Sequence, residues 1–304
     1  MIELYESRPD LEAIVLMSHG ILTFAEDARA CYENMIEFVE KAESYIEKRI
    51  NGKPLSDPRA DLILFDNVAR STARVASVIR GACSHQGPNG PSRRFYVEVR
   101  STPEMVEISR SREAPALCRS GVLTPDHIIW TKNRAVYIDS VPEDDESLKR
   151  SIKESLDEFR EYYERYFEIH AAVRRTQLKK LDPYPRVFLV AGIGLVALGF
   201  TRKAARIAAD IAERTLSAQL RASALGEYVP IDQSHVFDME YWGLQQKKLA
   251  KTEPPPLLTG CCRKRRCRRH RTWDCLPSPG YWSAGCHLRH RGESSKEGPF
   301  DPRL

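Results

Sequence analysis

Fourteen consecutive residues, VFLVAGIGLVALGF at 187–200, carry no charged side chain. A helix that spans a bilayer needs about 20 such residues, and Gly192, Gly194 and Gly199 would each weaken a helix interior. The run is therefore read as a buried strand and its turn, and no other stretch of the chain is longer in apolar residues. Residues 192–197, GIGLVA, also satisfy the loose dinucleotide pattern G-x-G-x-x-A. The next helix opens only near Thr201, and no acidic residue closes a second strand about 20 residues on, so a tight turn is the stronger reading.

The rest of the chain alternates between the two periods. Residues 12–18 read as a short buried strand, and Thr23 with Glu26 forms a T-x-x-E capping pattern for a helix to about residue 50. Asp57 and Pro58 suit the start of a second helix, with Leu62, Phe65, Val68, Ala69, Thr72, Val75 and Ile79 on one face. RFYVEVRS (94–101) alternates like a half-exposed strand. RAVYID (134–139) is another strand, followed by a charged helix whose stripe is Leu148, Ile152, Leu156, Phe159, Tyr163 and Phe167. A helix from Thr201 stops at Gly226, and a last one covers about 232–250. Strands alternating with helices predict an α/β fold with a mostly parallel sheet and flanking helices. The expected domains are 1–140, an α/β and helical extension over 141–250, and a linker with tail over 251–304.

Charge divides the chain more sharply than its net +5 suggests. Residues 251–304 hold 12 Lys and Arg against 5 Asp and Glu, whereas the first 250 hold 35 against 37. KTEPPPLLTG (251–260) reads as a proline-rich linker. The basic segment after it has too few aliphatic residues to bury a core, so disorder is expected. Three readings compete for it: a small zinc site at Cys262, Cys267, His270 and Cys275; a nonspecific nucleic-acid contact or localisation signal at RKRRCRRHR; or a frame-shifted translation that replaces a further domain. The start, MIELYESRPD, lacks a basic-then-apolar leader, which gives an expectation of cytoplasmic placement with reduced cysteines and no membrane partner.

Two places carry candidate chemistry. The first strand ends in Ser-His-Gly, which puts the His19 imidazole at a strand end, where α/β sheets commonly hold ligands, and histidine is a frequent zinc ligand. The alternative is an imidazole bonded to a neighbouring carbonyl. GVLTPDHIIWTK (121–132) places Thr124, Asp126, His127 and Lys132 on one turn and short helix. That group suits proton transfer or contact with a phosphate, and also a capped helix with its polar residues turned outward.

The stretch EAIVLMSHGILTFAEDARACYENMIEFVEKAESYI resembles the later half of a class II aldolase/adducin domain. The likeness continues through GVLTPDHIIWTK, LDPYPRVFLVAGIGLVALG, KAARIAADIAE and FDMEYWGLQQKKLA, and within that family it is similar to the bifunctional rhamnulose-1-phosphate aldolase/short-chain alcohol dehydrogenase subgroup. The resemblance implies a zinc-dependent lyase that cleaves rhamnulose 1-phosphate, or a similar ketose phosphate, to dihydroxyacetone phosphate and lactaldehyde. It implies that His19 is one of three histidines on the metal, that the partner is a sugar phosphate, and that the chain forms a homo-oligomer or joins a complementary fragment. The family's His-x-His pair and catalytic glutamate have no match in residues 1–250. The expectation is therefore a chain that neither holds zinc tightly nor runs the reaction by itself, with the dehydrogenase region absent. Two alternatives stay open: a non-catalytic adducin-like binding module, and a basic-tailed nucleic-acid binder.

Overall fold

The 187–200 run forms two strands, not one. In the computed structural model, which describes residues 2–8, 10–60, 67–84, 94–174 and 177–252, the chain divides into two units, Met1–Leu257 and Leu258–Leu304. All described residues belong to the first. Within it, β5 (Val187–Val190) and β6 (Gly194–Gly199) pair antiparallel across a three-residue turn, Val190 opposite Gly194. A connection that short permits only a hairpin, because a parallel pair needs a crossover of about a dozen residues.

Around this hairpin the sheet has the order β3-β6-β5-β4, with β3 at Tyr96–Arg100 and β4 at Val136–Ile138. β3 pairs antiparallel with β6, and β4 pairs parallel with β5. The mostly parallel sheet predicted from sequence is thus corrected to one parallel and two antiparallel pairings in a mixed α/β structure. Uninterrupted burial suggested parallel strands, but it reports only that both faces are covered. One face packs Phe188, Val190, Val196 and Leu198 against α3 (Val68–Cys83) and α7 (Asp145–Ala172). The other packs Val187, Leu189, Leu195 and Ala197 against α4 (Pro103–Ser109), α5 (Ala114–Arg119) and α8 (Arg202–Leu225). Strands from both sides of residue 140 share this sheet.

The glycines of the run serve this packing. Gly194 has φ +107°, and a Cβ on it would lie 2.5 Å from the Arg100 carbonyl oxygen. A Cβ on Gly199 would lie 2.2 Å from the Ala205 nitrogen, in the first turns of α8. That helix approaches closely because Ala205, Ala208, Ala209 and Ala212 line its inner face. Thr201 caps it, its hydroxyl accepting from the Ala204 amide at 3.0 Å, and Gly226 ends it. α7 is capped by Asp144 and buries Leu148, Ile152, Leu156, Phe159, Tyr163 and Tyr166. Phe167, placed in that stripe by sequence, is only partly buried.

The amino-terminal segment differs from its sequence reading. A short α1 (Ile2–Ser7) leads to β1 (Ala13–Leu16) and β2 (Gly20–Thr23), which form an isolated antiparallel hairpin. β1 is not a buried strand: Val15 is 68% exposed, and among the described residues the hairpin has no further strand beside it. Thr23 belongs to β2, and its hydroxyl donates to the Cys31 carbonyl. The cap of α2 (Ala28–Ile50) is Asp27, which accepts from the amides of Arg29 and Ala30. Likewise α3 is capped by Asn67, while Asp57 pairs with Arg112 at 3.0 Å. Leu62, Phe65, His85 and every tail residue after Thr252 lie outside the described residues. After α5, a 3-10 turn (Pro125–His127) runs into α6 (Ile128–Thr131), and α9 (Gln233–Glu240) with α10 (Gly243–Thr252) closes the described chain. Among the described residues, no helix is long and apolar enough to cross a membrane.

Candidate functional site

His19 sits in the exposed turn between β1 and β2, and its amide donates to the Leu16 carbonyl at 3.0 Å. The residue before it, Ser18, has φ +54°. The zinc expectation can be tested against the donors present. Among the described residues no group of three or more His, Cys, Asp or Glu could share a metal ion. Burial pushes the thiols of Cys83 and Cys118 up to about 12, which disfavours the thiolate a metal needs. The described residues therefore do not fit a three-ligand zinc centre.

The members of the second group have different surroundings. Thr124 precedes the 3-10 turn without a side-chain capping bond. Asp126 accepts from Gln245 of α10 at 2.5 Å. His127 is half-buried, its Nδ1 has no hydrogen-bond partner, and burial lowers its pKa despite the opposing pull of Asp126. These three do not form a proton-transfer pair with one another. Lys132 turns inward, 5% exposed, with φ 60° and ψ 175°. That region is nearly reserved for glycine and costs a side chain about 1–3 kcal/mol.

Around Lys132 the fold gathers charges that the sequence spreads over more than a hundred residues. Its Nζ lies 3.1 Å from Oε1 of Glu240, the last residue of α9, which is fully buried. The same ammonium stands 4.0 Å from the centre of the Tyr163 ring. The Tyr163 hydroxyl donates to Glu240 Oε1 at 3.0 Å and shares a 2.8 Å bond with the Tyr241 hydroxyl. Burial, reinforced by the Glu240 charge, holds Tyr163 and Tyr166 far above the ordinary phenol range, so both stay protonated donors. Alongside lies a second pair: Arg186 grips both carboxylate oxygens of Asp182, at 2.9 and 2.6 Å. The Arg186 guanidinium also lies 5.0 Å from the Phe95 ring and 5.1 Å from Phe200. Burial alone would raise the Asp182 carboxyl; the guanidinium outweighs it and holds the group well below the usual carboxylate range.

A cavity of about 40 Å³ adjoins these two pairs, lined in part by Lys132, Asp182, Arg186, Glu240 and Trp130. It has room for roughly three waters, whereas pockets for organic ligands run to about 300 Å³ or more. The arrangement can hold a fixed positive charge beside a small polar space; it does not enclose a sugar phosphate. Of its charged members, sequence singled out only Lys132. The helical spacing of Tyr163 marks it as core, and no motif joins Asp182, Arg186 and Glu240. Their signal was present: each is a charge set within an otherwise apolar segment, in LDPYPRVFLV and FDMEYW.

The sequence model of the family described as aldolase class II, second domain, matches residues 70–249. The chain belongs to that family. The matched span of this aldolase second domain runs from α3 into α10, so it contains the four-stranded sheet and the whole Lys132–Glu240 cluster, while His19 and its hairpin precede it. An uncharacterized oxidoreductase, YuxG, of Bacillus subtilis (strain 168) is 29% identical over 252 residues, which is 82% of this chain and 35% of the relative. The chain thus spans about a third of that relative's length. No solved structure matches it.

Proposed function

We propose that this chain works in the cleavage of a ketose 1-phosphate by a metal-dependent class II aldolase. By the resemblance of its segments, the substrate is rhamnulose 1-phosphate and the products are dihydroxyacetone phosphate and lactaldehyde. The observation that carries the reading is the match of residues 70–249 to the second domain of these aldolases. In support, the four segments that resemble the rhamnulose-1-phosphate subgroup after residue 120 meet in one folded unit. His19 is proposed as a single imidazole offered to a metal centre whose other ligands are not among the described residues. The second domain serves as a folded platform and not as the sugar-phosphate pocket, since its charged cluster adjoins a cavity of only about 40 Å³. No chemical step is assigned to it.

The test is genetic and biochemical. Extract from source cells lacking the gene is assayed for release of dihydroxyacetone phosphate from rhamnulose 1-phosphate. Loss of cleavage, restored by the full chain and poorly restored by His19→Ala, is the expected result. Undiminished cleavage in the deleted strain would overturn the proposal.

A further inference from the structure

Two donors converge on one carboxylate oxygen. Lys132 Nζ and the Tyr163 hydroxyl both reach Oε1 of Glu240, at 3.1 and 3.0 Å. The Tyr166 ring lies 5.8 Å from that of Tyr163, its hydroxyl is buried without a hydrogen bond, and Oε2 of Glu240 is likewise buried with no donor. The donors belong to the loop after α6 and to α7, while the carboxylate arrives on a different element, α9. The donor set is therefore a concave, preformed acceptor site, and Glu240 is what fills it.

Two features mark this as more than an ordinary ion pair. The backbone at Lys132 is held at φ 60° and ψ 175° to aim its side chain inward, and strain of that kind collects at ligand clamps. The adjoining cavity of about 40 Å³, lined by Lys132 and Glu240 and not by the tyrosines, leaves space for an occupant with more than one oxygen. Glu240 engages only one of its own two oxygens. Asp182 and Arg186 neutralise each other, so withdrawal of Glu240 would leave the single charge of Lys132 uncompensated. A small monoanion with two or three oxygens answers both the charge and the spare donor.

We propose that Lys132, Tyr163 and Tyr166 form an oxyanion-binding site whose resting occupant is the chain's own Glu240, and that a small carboxylate or phosphate takes its place and loosens helices α9 and α10. The inference stands apart from the aldolase reading, since it needs neither metal nor aldol chemistry. Those helices are also tied to the body by Arg174, which reaches Asp238 at 2.5 Å and the Ser234 carbonyl, by Gln245 to Asp126 at 2.5 Å, and by the fully buried Val236 and Phe237. Displacement of Glu240 removes the ion pair whose two members are both buried.

The test uses acetate, inorganic phosphate and chloride at matched ionic strength. Glu240→Ala lowers the melting temperature, and acetate or phosphate restores about 5 °C saturably while chloride restores nothing. Lys132→Met in the same background abolishes that rescue. In the wild-type chain the effective anion speeds amide exchange across residues 233–252 about tenfold and leaves the middle of α7 unchanged. Acetate alone acting identifies a carboxylate site; phosphate alone, a phosphate site. Equal rescue by chloride, or rescue that survives Lys132→Met, overturns the proposal. So does wild-type exchange in residues 233–252 that neither anion alters, which decides the matter even where Glu240→Ala does not fold.

Discussion

Lys132 and Glu240, 108 residues apart, form an ion pair at 3.1 Å with the lysine 5% exposed and the glutamate not exposed at all. Burial of both charges is expensive, and their attraction with the Tyr163 bond offsets it only while both are present. Lys132→Met strands a buried carboxylate and is expected to cost about 3–5 kcal/mol. The double variant Lys132→Met, Glu240→Leu removes both charges and is expected to recover most of that loss. Urea denaturation of the two variants and the wild type measures the coupling; equal losses in the single and double variants would show that the charges do not compensate each other.

A second expectation concerns the two glycines of the central hairpin. A Cβ at Gly199 meets backbone atoms of Ala204 and Ala205, and one at Gly194 meets the Arg100 carbonyl, and neither neighbour can swing aside as a side chain would. Gly199→Ala and Gly194→Ala are each expected to destabilise by about 3 kcal/mol or more. Gly81, in α3, has open space where its Cβ would be. Gly81→Ala is expected to stabilise by up to about 1 kcal/mol through helix propensity. Thermal melts of the three variants check the contrast.

These positions also show what sequence could convey. Apolar periodicity in α7 identified Leu148, Ile152, Leu156, Phe159 and Tyr163, all of which are buried, because a helix stripe reports its own packing face. The caps at Thr201 and Gly226 were equally legible, since capping is chemistry within a few residues. Strand direction was not: a run buried on both faces looks the same in parallel and antiparallel sheets, and the short turn at 191–193 was hidden in the apolar run. Thr23 matched a capping pattern but lies in β2, where pairing with Ala13 overrides it. The charged cluster was legible only at Lys132, because Asp182, Arg186 and Glu240 gain their meaning from partners that topology, not spacing, brings near.

Acid sensitivity should divide between two groups. Asp182 is held well below the usual carboxylate range by Arg186, so its stabilising contribution is present above the unfolded pKa near 4 and is lost as pH falls towards its folded value. Asp182→Asn is expected to be less stable at neutral pH and to show a flatter decline below about pH 4. Stability from urea midpoints at stepped pH checks this, and parallel declines for both proteins would contradict it.

His127 acts earlier in the same titration and with the opposite charge. Burial lowers its pKa, so the unfolded chain takes up a proton first, and stability is expected to fall as pH drops below about 6.5. His170 is depressed as well, first by burial and then by Arg174, and contributes in the same direction. His127→Gln is expected to remove part of the decline between about pH 6.5 and 5, leaving the His170 share. A profile unchanged by that substitution would place the titration elsewhere.

His19 provides the sharpest separation between structure and function. It lies on an exposed turn, makes no side-chain hydrogen bond among those described, and has no nearby group of metal ligands within the described residues. His19→Ala is therefore expected to leave the melting temperature and the zinc content of the isolated chain unchanged. The same substitution is expected to impair restoration of ketose-phosphate cleavage in the deleted extract, where the proposed metal centre draws its other ligands from outside the described residues. Metal analysis of the isolated wild-type chain and of His19→Ala, run beside the extract assay, reads both effects. A variant that melts normally yet restores full cleavage would remove His19 from the metal centre and leave the second-domain reading of residues 70–249 intact.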